Sequence, residues 1–207
     1  MNGPIPIYLA VEDELSEWVA RRALSTRSLS YAIGAVFNRG GYGYLKQKAR
    51  AFNNAAKRCP FLLLTDLDKS PCPPQLIEDW LGCPKHPQFL LCVAVREVES
   101  WLLGDPVGLR TFLGLRKPIE LLDPENLPDP KQELLRLASR SPRRTTREAM
   151  VWKDERSGRL FQGPDYSATL AKFVWGEWGI STARRRCRSL ERLFLALGRI
   201  EAGVRSQ

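Results

Sequence analysis

The sequence predicts an α/β protein: a mainly parallel sheet flanked by helices, followed by a helical C-terminal cap. Three observations carry this. Four short, nearly continuous apolar runs fall within the first half of the chain, the pattern of strands buried on both faces. Segments with helical spacing of apolar residues separate them. After the fourth run the pattern is helical, with proline-rich joints and no further run of that kind.

The first strand is IPIYLAV (5–11). DELSEWVARRAL (13–24) follows, with Leu15, Trp18, Val19 and Ala23 recurring at helical spacing. LSYAIGAVF (29–37) is the second strand and leads into the glycine-rich NRGGYGY (38–44). YLKQKARAFNNAAKR (44–58) reads as a helix and PFLLLTD (60–66) as the third strand. PPQLIEDWLG (73–82) has proline at its start and glycine at its end, the punctuation of a short helix. FLLCVAV (89–95) is the fourth strand. Strands that alternate with helices in this way form a parallel sheet covered on both faces.

Beyond the sheet, VESWLLG, VGLRTFLGL, KQELLRLAS, residues 166–175 and TARRRCRSLERLFLALGRI read as helices, with PENLPDP (124–130) as a loop. RSPRRTTREAM (140–150) and KDERSGRLFQGP (153–164) read as exposed connections. The expected division is a sheet domain over 1–105 and a helical basic region over 106–207 packed on it. Trp101, Trp152, Trp175 and Trp178 are expected in the core.

With 43% hydrophobic and 27% charged residues, the 207-residue chain can bury a core, which excludes a disordered protein. No apolar run approaches the ~18 residues of a membrane span. The N-terminal stretch lacks a basic region ahead of its apolar run, so no signal peptide is expected. The five scattered cysteines (59, 72, 83, 92, 187) fit reduced thiols, and together these features predict a cytoplasmic protein without membrane partners. One histidine excludes a histidine-rich metal site and argues against a Ser-His-Asp triad. Cys83 and His86 form only one tight ligand pair, where structural zinc usually needs two, so zinc is not predicted.

Charge divides the chain sharply. Residues 1–130 hold 15 basic and 15 acidic side chains, whereas residues 131–207 hold 17 against 8. The excess points either to polyanion contact by the second part or to arginine-rich helices that only keep the chain soluble. In TARRRCRSLERL, Arg184 and Arg188 fall one helical turn apart, with Arg185 beside them. Arg39, Lys46 and Lys48 flank the glycine-rich turn. These six are the expected nucleic-acid contacts, touching the phosphate backbone without reading sequence.

Acidic residues gather at the strand ends. Glu12 ends the first strand, with Asp13, Glu14 and Glu17 behind it. Asp66 and Asp68 end the third, and Glu97 and Glu99 follow the fourth. Ligands of open α/β sheets bind beyond these carboxyl ends. Carboxylates held close together repel, and a hard divalent cation such as Mg²⁺ relieves the repulsion. Two such ions about 4 Å apart form a clamp for displacement at a phosphodiester.

A strand-terminal glutamate in YLAVEDELSE, followed by D-x-D in LLLTDLD, resembles the Toprim domain shared by topoisomerases, DnaG-type primases and OLD-family nucleases. The E-x-E of VREVES is most similar to the OLD nucleases. The likeness covers about residues 5–105 and extends to small Toprim-like proteins of bacterial anti-phage defence. It implies a Mg²⁺- or Mn²⁺-dependent nuclease whose metals are held by Glu12, Asp66, Asp68, Glu97 and Glu99, with Glu14 a possible addition. The family's first motif has glycine after the glutamate and an acid four residues on, where this chain has Asp13 and Ser16, leaving Glu14 and Glu17 as alternatives. The resemblance also implies a catalytic basic residue, for which Lys69, Lys153 and Arg184 are candidates. No Walker A motif is present, so a partner ATPase would be a separate chain. The alternative expectation is a non-catalytic, Toprim-derived binding or sensor subunit that acts with such a partner, or as a homo-oligomer.

Overall fold

The computed structural model describes residues 3–38 and 40–205. In chain order, the first elements are β1 (Ile5–Val11), α1 (Glu14–Ser25), β2 (Tyr31–Phe37), α2 (Gly41–Ala55), β3 (Phe61–Asp66), α3 (Pro73–Leu81) and β4 (Phe89–Ala94). They are followed by α4 (Val98–Leu103), α5 (Pro106–Leu113), α6 (Pro130–Ala138) and α7 (Arg144–Met150). A hairpin of β5 (Val151–Lys153) and β6 (Leu160–Gln162) precedes α8 (Tyr166–Trp175), α9 (Ile180–Arg186) and α10 (Arg188–Arg205). No described helix is long and apolar enough to cross a membrane.

Two compact units result. One comprises the residues up to Val95 together with those from Ser189 on; the other is Arg96–Arg188. The division expected near residue 105 therefore falls at 95–96, and α10 belongs with the sheet. The reason is its apolar stripe: Leu190, Leu193, Leu197 and Ile200 are buried, as a helix that covers one face of a sheet requires.

In the first unit all four strands are parallel, in the order β2-β1-β3-β4. The chain steps from β1 to β2, crosses back over β1 to β3, and moves on to β4. Its winding reverses between β1 and β3, the place where open α/β sheets bind ligands. Alternate residues of the strands feed two layers. Ala10, Phe61, Leu63, Phe89 and Leu91 pack with Leu45, Ala49 and Phe52 of α2 and Leu76 and Trp80 of α3. Phe52 stacks on Phe61 at 4.6 Å between ring centroids. Residues of the other parity, Leu9, Leu62 and Leu64, are buried as well. Arg27, just past α1, places two guanidinium nitrogens on Glu201 of α10 at 2.8 and 2.7 Å. It also lies 5.5 Å from the centre of the Phe194 ring.

The second unit is built around α4, all six residues of which are buried. The indole N–H of Trp178 donates to the carbonyl of Trp101 at 3.3 Å. The Asp105 carboxylate accepts from the Gly108 N–H at 3.1 Å and the Gly179 N–H at 2.7 Å, so it caps α5 and fixes the turn ahead of α9.

Three expectations are corrected. TARRRCRSLERL is not one helix: the chain is extended at Cys187 (φ −118°, ψ 104°), between α9 and α10. Cys187 is buried, with its thiol donating to the Ser100 carbonyl at 3.4 Å, and that seat interrupts the helical path. Residues 140–150 and 153–164 are not loose connections but contain α7 and the β5–β6 hairpin. Trp101 and Trp178 are core residues as expected, but Trp152 and Trp175 are 55% and 43% exposed.

The Arg27–Glu201 pair gives a stability prediction. Hydrogen bonding from Arg27 holds the Glu201 carboxyl below its ordinary value of 4.5. A carboxyl with a lowered folded pKa stabilises the fold above its unfolded pKa, and the contribution is lost as pH falls through the folded value. Glu201→Ala should cost about 2–4 kcal/mol at pH 7 by stranding a half-buried guanidinium. The difference from the native protein, read by urea unfolding, should shrink as the pH falls below about 4.

Candidate functional site

The site is assembled where β1 and β3 end side by side. Their register pairs Val11 with Leu64, which brings Glu12 opposite Thr65. The buried Thr65 hydroxyl donates to Glu12 Oε1. The Asp66 N–H donates to the same oxygen at 2.9 Å. Both donors meet Oε1, so that edge of the carboxylate is fixed.

The D-x-D segment straddles a buried residue. The Leu67 N–H donates to the Ala94 carbonyl at 2.9 Å, extending the β3–β4 ladder past Asp66, and the Leu67 side chain is buried. The chain then turns at exposed Asp68, whose φ of +48° lies in the left-handed region. Aspartate is among the few non-glycine residues that occupy this region readily. Asp66 and Asp68 are thus set at the strand end by one inward-pointing leucine.

The acids behind Glu12 have separate duties. Asp13 caps α1, accepting from the Ser16 N–H at 2.8 Å. Glu14 is exposed in the first turn of that helix. Glu17 accepts from Arg21 at 2.8 Å and from the Asn38 side chain at 2.6 Å, tying α1 to the end of β2. Of the two alternatives for a second acid, Glu17 is therefore already engaged in joining elements.

Burial raises the pKa of the Glu12 carboxyl from its ordinary value of 4.5. The hydrogen bonds from Thr65 and Asp66 work against that rise, and the negative charges of Asp68 and Asp13 add to it. A cation beside Glu12 would reverse the balance. The donors here are hard carboxylate oxygens, which fit Mg²⁺ or Mn²⁺ in chemistry. Among the described residues no three His, Cys, Asp or Glu side chains form a ready metal-ligand group.

Glu97 and Glu99 belong to the second unit and come together there. Glu97 precedes α4, and its Oε2 accepts from the Lys131 N–H at 3.0 Å. Lys131 Nζ lies 3.8 Å from Glu97 Oε1 and 3.6 Å from Glu99 Oε1. The Tyr166 hydroxyl donates to Glu99 Oε1 at 3.1 Å. Glu99 is only 3% exposed, and a buried carboxylate needs such partners. Lys131 is not among the basic residues that the sequence singles out. Its one local signal is its place in the first turn of α6, after Asp129-Pro130; its partners lie more than thirty residues away.

Among the named basic residues, Lys69 is exposed in the turn after Asp68 and Lys153 is exposed on β5. Lys46 and Lys48 are exposed on α2. Arg184 and Arg185 lie on α9, while Arg188 opens α10, so the break at Cys187 removes the common helical face predicted for Arg184 and Arg188. Arg39 lies outside the described residues. Comparison of the chain with protein-family models, with curated proteins and with solved structures found no match.

The Glu12 pKa predicts a pH effect. A carboxyl whose folded pKa is raised contributes stability below its unfolded value near 4.5 and loses it as pH rises through the folded value. Glu12→Gln keeps an acceptor for Thr65 and Asp66 but removes the charge. It should unfold in urea at pH 7 no earlier than the native protein, with a flatter stability profile above pH 4.5. A loss above about 1 kcal/mol would mean that the charge itself holds the seam.

Proposed function

We propose that the chain is a divalent-metal-dependent phosphodiesterase acting on nucleic acid, built on a Toprim-like sheet and serving in defence against foreign DNA or RNA. The observation that carries this reading is the Glu12–Asp66 link at the reversal of the sheet, with Asp68 beside it. Acid-rich strand ends at a switch point suit a cation and a phosphate better than an apolar ligand.

In this reading Glu12, Asp66 and Asp68 hold Mg²⁺ or Mn²⁺, with Glu14 in reserve at the start of α1. The cation supplies an activated water and neutralises charge at the phosphate. Thr65 and the Asp66 N–H orient Glu12, so the carboxylate needs no rearrangement to meet a ligand. Glu97 and Glu99 form a second acidic pair, in which Lys131 offsets the charge and Tyr166 fixes Glu99. The basic 131–207 region, including Arg184, Arg185 and Arg188, contacts the phosphate backbone.

A second reading keeps the fold and drops the chemistry: a binding or sensor subunit acting with a partner ATPase. It is favoured by the lack, among the described residues, of a ready three-ligand metal group. Cleavage assays separate the two. The enzyme reading predicts that purified protein cuts plasmid or RNA with Mg²⁺ or Mn²⁺ and stops with a chelator. The subunit reading predicts binding without cutting.

Asp66→Asn, nearly isosteric, should leave the metal-free protein at least as stable as the native one. It should also remove most of the thermal stabilisation given by millimolar Mn²⁺ and abolish cutting. If Asp66 serves only the turn, its loss should cost about 0.5–2 kcal/mol, with no response to Mn²⁺ in either protein. Changing Arg184, Arg185 and Arg188 together to alanine should weaken binding and flatten its salt dependence by about one unit of slope per lost phosphate contact.

A further inference from the structure

The β5–β6 hairpin inverts what a small ribbon does to bury apolar area. Trp152 and Phe161 are directly opposed across the two strands, with ring centroids 5.3 Å apart and planes tilted by 43°. They are 55% and 41% exposed, whereas Val151 and Leu160, of the opposite parity, are half-buried. The larger aromatic surface thus faces solvent, and the smaller aliphatic one faces inward.

The ribbon is held in shape. The Gly163 N–H donates to the Met150 carbonyl at 2.9 Å, and the Gln132 side chain donates to the Leu160 carbonyl at 3.1 Å. At the tip the Asp154 carboxylate accepts from the Ser157 N–H at 3.0 Å and from the Ser157 hydroxyl. Gly158 supplies the left-handed residue there, with φ +70°. The Asp154 carboxylate is therefore engaged within the turn, and those hydrogen bonds hold its pKa below the usual aspartate value.

Cations lie on the ribbon that carries the aromatic pair. The Arg159 guanidinium lies 5.9 Å from the centre of the Phe161 ring, and Lys153 and Arg156 are exposed on the same ribbon. Residues 140–162 carry seven basic side chains against three acidic ones. In the adjoining α7 region, Arg143 and Arg147 donate to the carbonyls of Phe112 and Ser141, contacts that leave their charge unneutralised.

We propose that this hairpin is a stacking platform for single-stranded nucleic acid, with unpaired bases lying on Trp152 and Phe161 and phosphates beside Arg156 and Arg159. Flat rings flanked by cations match a strand that offers π-faces and phosphates together. A duplex keeps its base faces inside its own stack and cannot use the rings. Binding rests on the hairpin's geometry alone; its use in presenting a strand for cutting rests on the phosphodiesterase reading.

The test uses the full chain in chelator, so that no cutting intervenes. Fluorescence anisotropy compares labelled oligo-dT and oligo-U of about 20 nucleotides with an abasic strand and a duplex of the same length. Both homopolymers should bind, and the abasic strand and the duplex should bind about tenfold more weakly or worse. Trp152→Ala should weaken homopolymer binding by about tenfold, while Trp152→Tyr retains it within a few-fold. Circular dichroism and the melting midpoint of Trp152→Ala should match the native protein. If that variant loses its fold, quenching of Trp152 fluorescence by oligo-dT, absent in Trp152→Phe, reads the same stacking contact in its place. Equal binding of the abasic strand and oligo-dT, unchanged affinity in a folded Trp152→Ala, or no single-strand binding would overturn the proposal. So would a preference for vesicles rich in phosphatidylglycerol, which would make the hairpin a membrane contact. Retained strand binding without cleavage in Mg²⁺ or Mn²⁺ would count against the phosphodiesterase reading alone.

Discussion

One carboxylate oxygen sets the geometry on which the functional reading depends. Glu12 Oε1 accepts hydrogen bonds from the Thr65 hydroxyl and the Asp66 N–H, joining the carboxyl ends of the two central strands. A parallel ladder leaves its last backbone groups without strand partners, and buried ones must find others. Here a side chain from one strand satisfies an amide of its neighbour. The same contact desolvates Glu12 and places it within reach of the Asp68 charge. The two central strands are thus tied at the switch point by a carboxyl whose charged form burial disfavours.

The second unit meets a similar difficulty differently. Glu99 is buried in α4, but Lys131 and Tyr166 supply a positive charge and a hydroxyl to it. Glu12 is met by two neutral donors and by the negative charges of Asp68 and Asp13, whereas the E-x-E pair carries a lysine. A buried ion pair adds little net stability, since desolvation consumes most of the attraction, and removing one partner is what costs. Glu99 is the buried member of this group, and removing Lys131 would leave its charge with the Tyr166 hydroxyl as its remaining named partner.

β3 and β4 were legible because they obey one strong rule, whereas β2, at the edge of the sheet, has no buried residue although the sequence predicts a strand buried on both faces. Strands buried on both faces are written as continuous apolar runs, and Phe61–Asp66 and Phe89–Ala94 start and stop within a residue or so of theirs. The acids at the strand ends were legible for the same reason: once the strands are placed, Glu12 and Asp66 fall at their ends. What stayed hidden depends on distant contacts. Cys187 sits between two arginine-rich stretches with good helical spacing, and only the burial of its thiol against Ser100 interrupts them. The three-residue strands of the hairpin give too little alternation to register. A tryptophan beside a charged turn reads as core by composition, and only the pairing of Trp152 with Phe161 shows which way it points. Lys131 carries no motif at all, because Glu97 and Glu99, which it meets, lie at and in α4, more than thirty residues away.

Everything proposed for the sheet requires that Glu12 and Asp66 converge to receive a cation. Growing crystals, soaking them in Mn²⁺ and collecting anomalous scattering data would decide this, because the signal locates the ion without any assumption about activity. A peak is expected at the carboxyl ends of β1 and β3, within coordination distance of Glu12 and at least one of Asp66 and Asp68. Mn²⁺ bound only elsewhere, or none at that strand end at saturating concentration, would contradict the cation site and leave the Glu12–Asp66 link as a structural tie alone.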